Sequence, residues 1–352
     1  MEVLFDTSVT DFDRGGTSRY TSALLPRLRD EGVAVAPISM TSVWPWTAGL
    51  PRAARLLVHD MAWVPAGSVA AARRAGARLY HGAGFKVPPR APFATSVTIH
   101  DDTPWDDPPT ARLYNRVYMR RNLEAAAPRL AGAITSAQGT AAAILGRLPS
   151  LAGRLHVTPW GVDHDLFRPH DEAAVAAARS RVGVPGPYVL VVSPYGVRKN
   201  EAAMTAALGR LAPSFPKLTL VVVGRHNEPG VDPLPVVRCG RVDDGDLAAL
   251  YSGAELLLYA SLSEGFGLPV LEAMACGCPV VTSAGTVLEE VAGGAAMLAG
   301  PRDVDSIAGA CAQVLDDPDE RERLSRAGIA RASGFTWQNT ARLTAKAWAE
   351  ML

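Results

Sequence analysis

Apolar residues are distributed along this chain in two ways. Short continuous runs at 3–5, 94–99, 131–135, 187–192, 218–223 and 255–259 have the unbroken hydrophobic character of strands covered on both faces of a parallel sheet. Between and after them, stretches at 18–30, 112–127, 247–251, 304–315, 319–331 and 337–352 return an apolar residue every three or four positions, the period of an amphipathic helix. Strands alternating with helices predict an α/β protein with parallel sheets. The segment 33–80 mixes apolar runs with loops and assigns itself to no single element. Near the middle, Pro159, Gly161 and Pro169 fix a turn rather than a flexible tether, which places a domain boundary close behind them. Residues 1–165 and 166–335 are thus expected to be separate domains, with 336–352 as a terminal helix.

The most informative stretch runs from Ser263 to Pro279. The strand at 255–259 feeds a glycine-containing loop, and 268–275 has the spacing of a short buried helix that stops at Gly277 and Pro279. A helix start presents unpaired backbone N–H groups, and Gly265 and Gly267 remove the side chains that would hold an anion away. The same stretch carries Glu264 in the loop and Glu272 two turns into the helix, which would repel a bare phosphate. A ligand offering both hydroxyls and phosphates resolves the conflict. A nucleotide-diphosphate sugar does so: sugar hydroxyls donate to Glu264, ribose hydroxyls to Glu272, and the diphosphate lies over the glycine amides. The plainer alternative has Glu264 capping the helix and Glu272 facing solvent.

This segment resembles the E-x7-E motif of retaining glycosyltransferases of the GT-B class, family 4 type, which includes bacterial mannosyltransferases. The likeness is almost gapless over 236–303, with 6–32, 97–102 and 157–169 as further anchors. It implies two Rossmann-like doubly wound domains facing across a cleft, the acceptor on the first and the donor on the second. The final helix is expected to pack back on the first domain. Carried over residue by residue, it implies a loop at Asp13, Arg14, Gly15 and Gly16 whose glycine backbone approaches the donor phosphates or the acceptor. His100 would lie near the transferred sugar, with Asp101 orienting the acceptor or the histidine. Ser136 would cap a helix. Lys199, with Arg198 beside it, would bind the diphosphate, Val242 would line the nucleobase, and Gly265, Phe266, Gly267 and Leu268 would complete the donor loop. One departure stands out: many members carry Gly-Arg at Ser193-Pro194, and this chain lacks that arginine.

Composition narrows the partners. The chain has 352 residues, 48% of them hydrophobic, enough for two α/β cores. Thirty-five basic residues balance thirty-five acidic ones, so no net charge recruits nucleic acid. No apolar run reaches membrane-spanning length and the first residues read as a strand rather than a signal peptide, so a cytoplasmic location is expected. Trp44, Trp46 and the arginines at 52, 55, 73, 74 and 78 leave room for peripheral membrane contact, although solvated helix faces are the simpler reading. Cys239, Cys276, Cys278 and Cys311 read as buried thiols, since Cys276-x-Cys278 is too tight for the usual zinc spacing. No cofactor and no obligatory metal are expected, the diphosphate charge being met by Lys199, Arg198 and backbone amides.

The expected activity is transfer of a sugar from a UDP- or GDP-sugar to a hydroxyl of a small sugar, glycan or natural product. The family's front-face mechanism would keep the anomeric configuration. Glu264, Lys199, His100 and Asp101 are the catalytic candidates, Asp101 being the carboxylate to test for a double displacement. The alternatives are an inactive homologue serving as a nucleotide-binding or scaffold subunit, and a nucleotide-sugar epimerase or phosphorylase of the same architecture. A nicotinamide dehydrogenase is disfavoured, because no Gly-x-Gly-x-x-Gly follows the first strand of either domain.

Overall fold

The computed structural model describes residues 2–12, 15–105, 113–225 and 234–352, the side chain of residue 115 excepted. The chain divides into two units, Val162–Thr336 and a first unit made of Met1–Gly161 together with Trp337–Leu352. Each is an α/β unit built on an all-parallel six-stranded sheet.

In the first unit the strands are β1 (Glu2–Asp6), β2 (Ala34–Ile38), β3 (Leu79–Gly82), β4 (Ala94–Thr98), β5 (Gly132–Thr135) and β6 (Leu155–Val157), in the order β2-β1-β3-β4-β5-β6. Successive strands add on opposite sides of β1, so the switch point of the sheet lies between β1 and β3. Crevices of this kind, at the carboxyl ends of the strands, are where doubly wound folds bind ligands. The segment 33–80 holds β2 and the start of β3. Its helix Arg52–Val58 continues through a π-helical turn, His59–Gly67, into Ser68–Ala75. Buried Trp63 anchors that turn by donating from Nε1 to the Asp6 carboxylate at 2.8 Å, and the Tyr80 hydroxyl donates to the same oxygen. The helix Trp337–Glu350 belongs to this unit and packs beside the helix Gly16–Asp30. Its Trp348 is fully buried and donates from Nε1 to His81 Nδ1 at 3.2 Å.

The next helix runs Gln138–Arg147, with Ala137 in extended conformation at the N-cap position and Ser136 immediately before it.

The second unit contains β7 (Tyr188–Val192), β8 (Thr219–Val223), β9 (Val236–Gly240), β10 (Leu256–Tyr259), β11 (Val280–Ser283) and β12 (Met297–Ala299). Their order is β12-β11-β10-β7-β8-β9, which puts the switch point between β7 and β10. Every residue of β7, β8 and β10 is buried, as expected for strands covered on both faces. The core packs Val189, Val191, Leu256 and Leu258 against Leu208, Ile307 and Val314 of the covering helices. The edge strand β12 was not anticipated, three residues being too few to show a period. The cysteines are all free thiols; Cys276, Cys278 and Cys311 are buried, whereas Cys239 is only half-buried. Burial pushes the Cys276 and Cys311 thiols up to about 12.

Candidate active site

The loops that follow β7 and β10 flank the switch point of the second sheet, and they bring Arg198, Lys199 and Glu264 together. Beyond β7 the chain makes a short helical turn, Val197–Lys199, closed by Asn200 in the left-handed region at φ 60°. The Asn200 amide holds that conformation by donating to the carbonyls of Ala260 and Pro301 at 2.9 and 2.6 Å. Lys199 is thereby aimed at the β10 loop. Its ammonium donates to Glu264 Oε1 at 2.6 Å and to the Tyr259 hydroxyl at 2.6 Å, while Tyr259 donates to the same carboxylate oxygen at 3.1 Å. Arg198 Nη1 stands 3.3 Å from the Ser263 carbonyl and 3.5 Å from Glu264 Oε2.

The ionic state of this ring follows from its partners. Burial opposes charge on Glu264, yet the Lys199 and Arg198 cations outweigh it and hold the carboxyl below its ordinary value. Burial likewise opposes charge on Lys199, but Tyr259 and Glu264 raise it to about 12. Burial, helped by the Glu264 carboxylate, lifts the Tyr259 phenol to about 12, so it stays a neutral donor. Glu264 is therefore a charged acceptor beside two cations, and it is not the cap of the following helix. That helix, Leu268–Ala275, starts behind Gly267, which lies at φ 104° with no side-chain cap.

Phe266 is buried with its ring against Phe335 at 6.1 Å, which pins the loop from below. Leu268 is buried at the helix start. Glu272 is also buried, against the plainer alternative that had it facing solvent, and the Tyr251 hydroxyl donates to its Oε2 at 3.4 Å. Val242 is half-buried, just before Asp243, which caps the helix Asp244–Ser252.

The other candidates lie in the first unit. Gly15 is the N-cap of the helix Gly16–Asp30, and Asp13 and Arg14 lie outside the described residues. His100 follows β4, donates from Nε2 to the Ala83 carbonyl at 2.7 Å, and is therefore fixed as the Nε2–H tautomer when neutral. The rings of Tyr20, Phe85 and Trp160 enclose it at 5.4, 5.7 and 5.3 Å. Trp160 also faces Gly16, so a residue of the 157–169 anchor joins the glycine turn to the histidine. Asp101 accepts from the Thr103 amide at 3.0 Å, a local turn that fixes its carboxylate at the strand end.

A model of the family described as glycosyl transferases group 1 matches residues 236–331, the segment that carries Glu264 and Glu272. Over 324 residues the chain is 30% identical to the MMP α-(1→4)-mannosyltransferase of Mycolicibacterium hassiacum, covering 85% of this chain and 75% of the relative. The chain belongs to the group 1 glycosyltransferases. A second relative in this family, the O-antigen chain mannosyltransferase B of Escherichia coli, is 47% identical over 109 residues, 31% of this chain and 29% of that one. Among solved structures, sucrose-phosphate synthase from Thermosynechococcus elongatus superposes with a TM-score of 0.78 at 21% identity, covering 99% of this chain and 98% of the other. Anabaena HepE in complex with UDP and glucose does so at 0.73 and 17% identity, covering 99% of both. At these identities the superpositions establish the GT-B fold alone.

Two residues that the motifs of this glycosyltransferase did not announce join the candidate clusters. Tyr259 closes the Lys199–Glu264 ring, and its only signal was a polar-tipped aromatic as the last residue of a buried strand. Trp160 lay inside a motif read for its proline and glycines. No helix of the described residues is long and apolar enough to cross a membrane.

Proposed function

We propose that this glycosyltransferase moves a sugar from a UDP- or GDP-sugar to a hydroxyl acceptor with retention of anomeric configuration and without an obligatory metal. The observation that carries the reading is the Lys199–Tyr259–Glu264 ring at the switch point between β7 and β10. It sets a charged hydrogen-bond acceptor for sugar hydroxyls beside cations suited to a diphosphate. As the anomeric bond breaks, negative charge grows on the β-phosphate, and Lys199, Arg198 and the amides of Gly265 to Leu268 are placed to stabilise it in the role a metal fills elsewhere. Glu264 then orients the sugar, and Glu272, lower on the helix, takes the ribose.

Retention by front-face departure and attack has the leaving phosphate oxygen accept the acceptor's proton, so no protein base is required. His100 and Asp101, on the first unit, would orient the acceptor hydroxyl. The mannosyltransferase names of the relatives favour a hexose donor, and a small soluble acceptor is preferred.

The test is thermal-shift titration with UDP, GDP, ADP and TDP and their common sugar conjugates, with and without EDTA. A ligand at a hundred times its dissociation constant adds about 2.7 kcal/mol of stability. A selective, EDTA-insensitive shift that disappears in Lys199→Ala and Glu272→Ala is the expected result. Folded protein that responds to no nucleotide would overturn the donor reading. Normal nucleotide affinity without turnover on any hydroxyl acceptor would favour a binding subunit instead.

A further inference from the structure

Two of the cations at the carboxyl edge of the second sheet are directed at one carboxylate. Lys199 and Arg198 both face Glu264, so the three groups together leave a single net positive charge. A nucleoside diphosphate brings two or three negative charges. On the reading proposed above, this edge needs a further cation, and the chain has none at Ser193-Pro194.

The structure supplies one from the neighbouring strand. β7 and β8 pair in parallel with Val192 opposite Val223, and the pairing continues past their ends, where the Ser193 amide donates to the Val223 carbonyl at 2.7 Å. Ser193 turns through the left-handed region at φ 47°, and Gly224 follows at φ 89°. A Cβ on Gly224 would stand 2.5 Å from Ser193 Oγ and 3.4 Å from its Cα, and the backbone at φ 89° favours glycine where the two loops close on each other. The clasp sets Arg225 directly over Tyr195, its guanidinium carbon 4.2 Å from the ring centroid. Tyr195 is four residues ahead of Lys199, in the same loop. Arg225 is exposed, and no carboxylate among the described residues pairs with it.

We propose that Arg225, stacked on Tyr195, is a diphosphate-binding residue of the donor site. Stacking holds one face of the guanidinium against the ring and leaves its N–H edges to meet phosphate oxygens, geometry that lysine reproduces only as a point charge. The competing account is an ordinary solvated arginine resting on a surface tyrosine, and the two differ in what substitution does to binding.

The experiment is calorimetric titration of wild type, Arg225→Ala, Arg225→Lys and Tyr195→Ala with UDP, UMP, GDP and GMP. For the nucleotide that wild type binds, Arg225→Ala should weaken the diphosphate about tenfold and the monophosphate much less, so that the preference for the second phosphate shrinks. Arg225→Lys should recover part of the loss, and Tyr195→Ala should produce a smaller loss of the same kind. Unchanged diphosphate affinity in Arg225→Ala would overturn the assignment while leaving the donor reading intact. Equal loss for mono- and diphosphate would also overturn it, placing Arg225 on the nucleoside side. Wild type that binds none of the four sinks the donor reading and this inference together. Because Arg225 is exposed, its variants should keep the wild-type melting curve, which separates binding from folding.

Discussion

Lys199 has two partners of different character, a carboxylate and a neutral phenol, and the phenol is the one that can be removed without disturbing charge. Tyr259→Phe keeps the buried ring and deletes only the hydroxyl that accepts from Lys199 and donates to Glu264. Glu264 then loses one of its fixed donors and a degree of its orientation. The expected outcome is about tenfold weaker binding of the nucleotide sugar with the free nucleoside diphosphate little changed, since Glu264 is proposed to meet the sugar and not the phosphates. Titration of both ligands against both proteins checks it, and equal affinities throughout would reduce Tyr259 to packing. The effect should not depend on pH near neutrality. Glu264 is held below its ordinary value, so its ionised contribution is lost only as pH falls through that lowered value. Lys199, raised to about 12, loses its contribution only as pH climbs through that point.

At the level of elements, the glycines at strand ends decide where these side chains point. Gly267 sits at φ 104° ahead of the helix Leu268–Ala275, and a Cβ there would run into Leu288. Gly267→Ala should cost about 1–2 kcal/mol from the left-handed backbone alone. It should also weaken donor binding, because the amides that follow would shift; a melting curve and a nucleotide titration on the same sample read both. Much of this was legible in the sequence. The switch-point loops follow from the unbroken apolar runs that end at Val192 and Tyr259, and the helix at 268–275 was bounded by its own stop signals. What stayed hidden depended on tertiary pairing. The β7–β8 clasp that brings Arg225 to Tyr195 joins positions thirty residues apart with no shared motif. The π-helical turn at His59–Gly67 has the apolar content of an ordinary helix and is fixed by Trp63 reaching Asp6.

Both units bury an ion pair, Lys86 with Asp60 at 2.7 Å in the first and Lys199 with Glu264 in the second, and the first also buries a histidine that acid should act on. The Lys199–Glu264 pair stays ionised until pH falls through the lowered carboxyl value. The first unit buries His81 as a neutral ring between Ser96, Thr98 and Trp348, and burial, with a smaller contribution from His100, lowers it to about 3. In the unfolded chain the same imidazole takes a proton below about pH 6.5. Between those values the unfolded state binds one proton more than the folded state, so stability falls as pH falls, by about 1.4 kcal/mol per pH unit. All seven tryptophans of the chain lie in the first unit, so their fluorescence reports on that unit alone. Denaturant titrations followed by tryptophan fluorescence should therefore lose about 2 kcal/mol between pH 6.5 and 5. Nucleotide-induced stabilisation of the second unit should persist over the same interval. His81→Gln should lower stability at neutral pH, because it breaks the contacts to Ser96, Thr98 and Trp348, yet flatten the pH slope. A slope unchanged by that substitution would assign the acid sensitivity to other groups and remove His81 from the account.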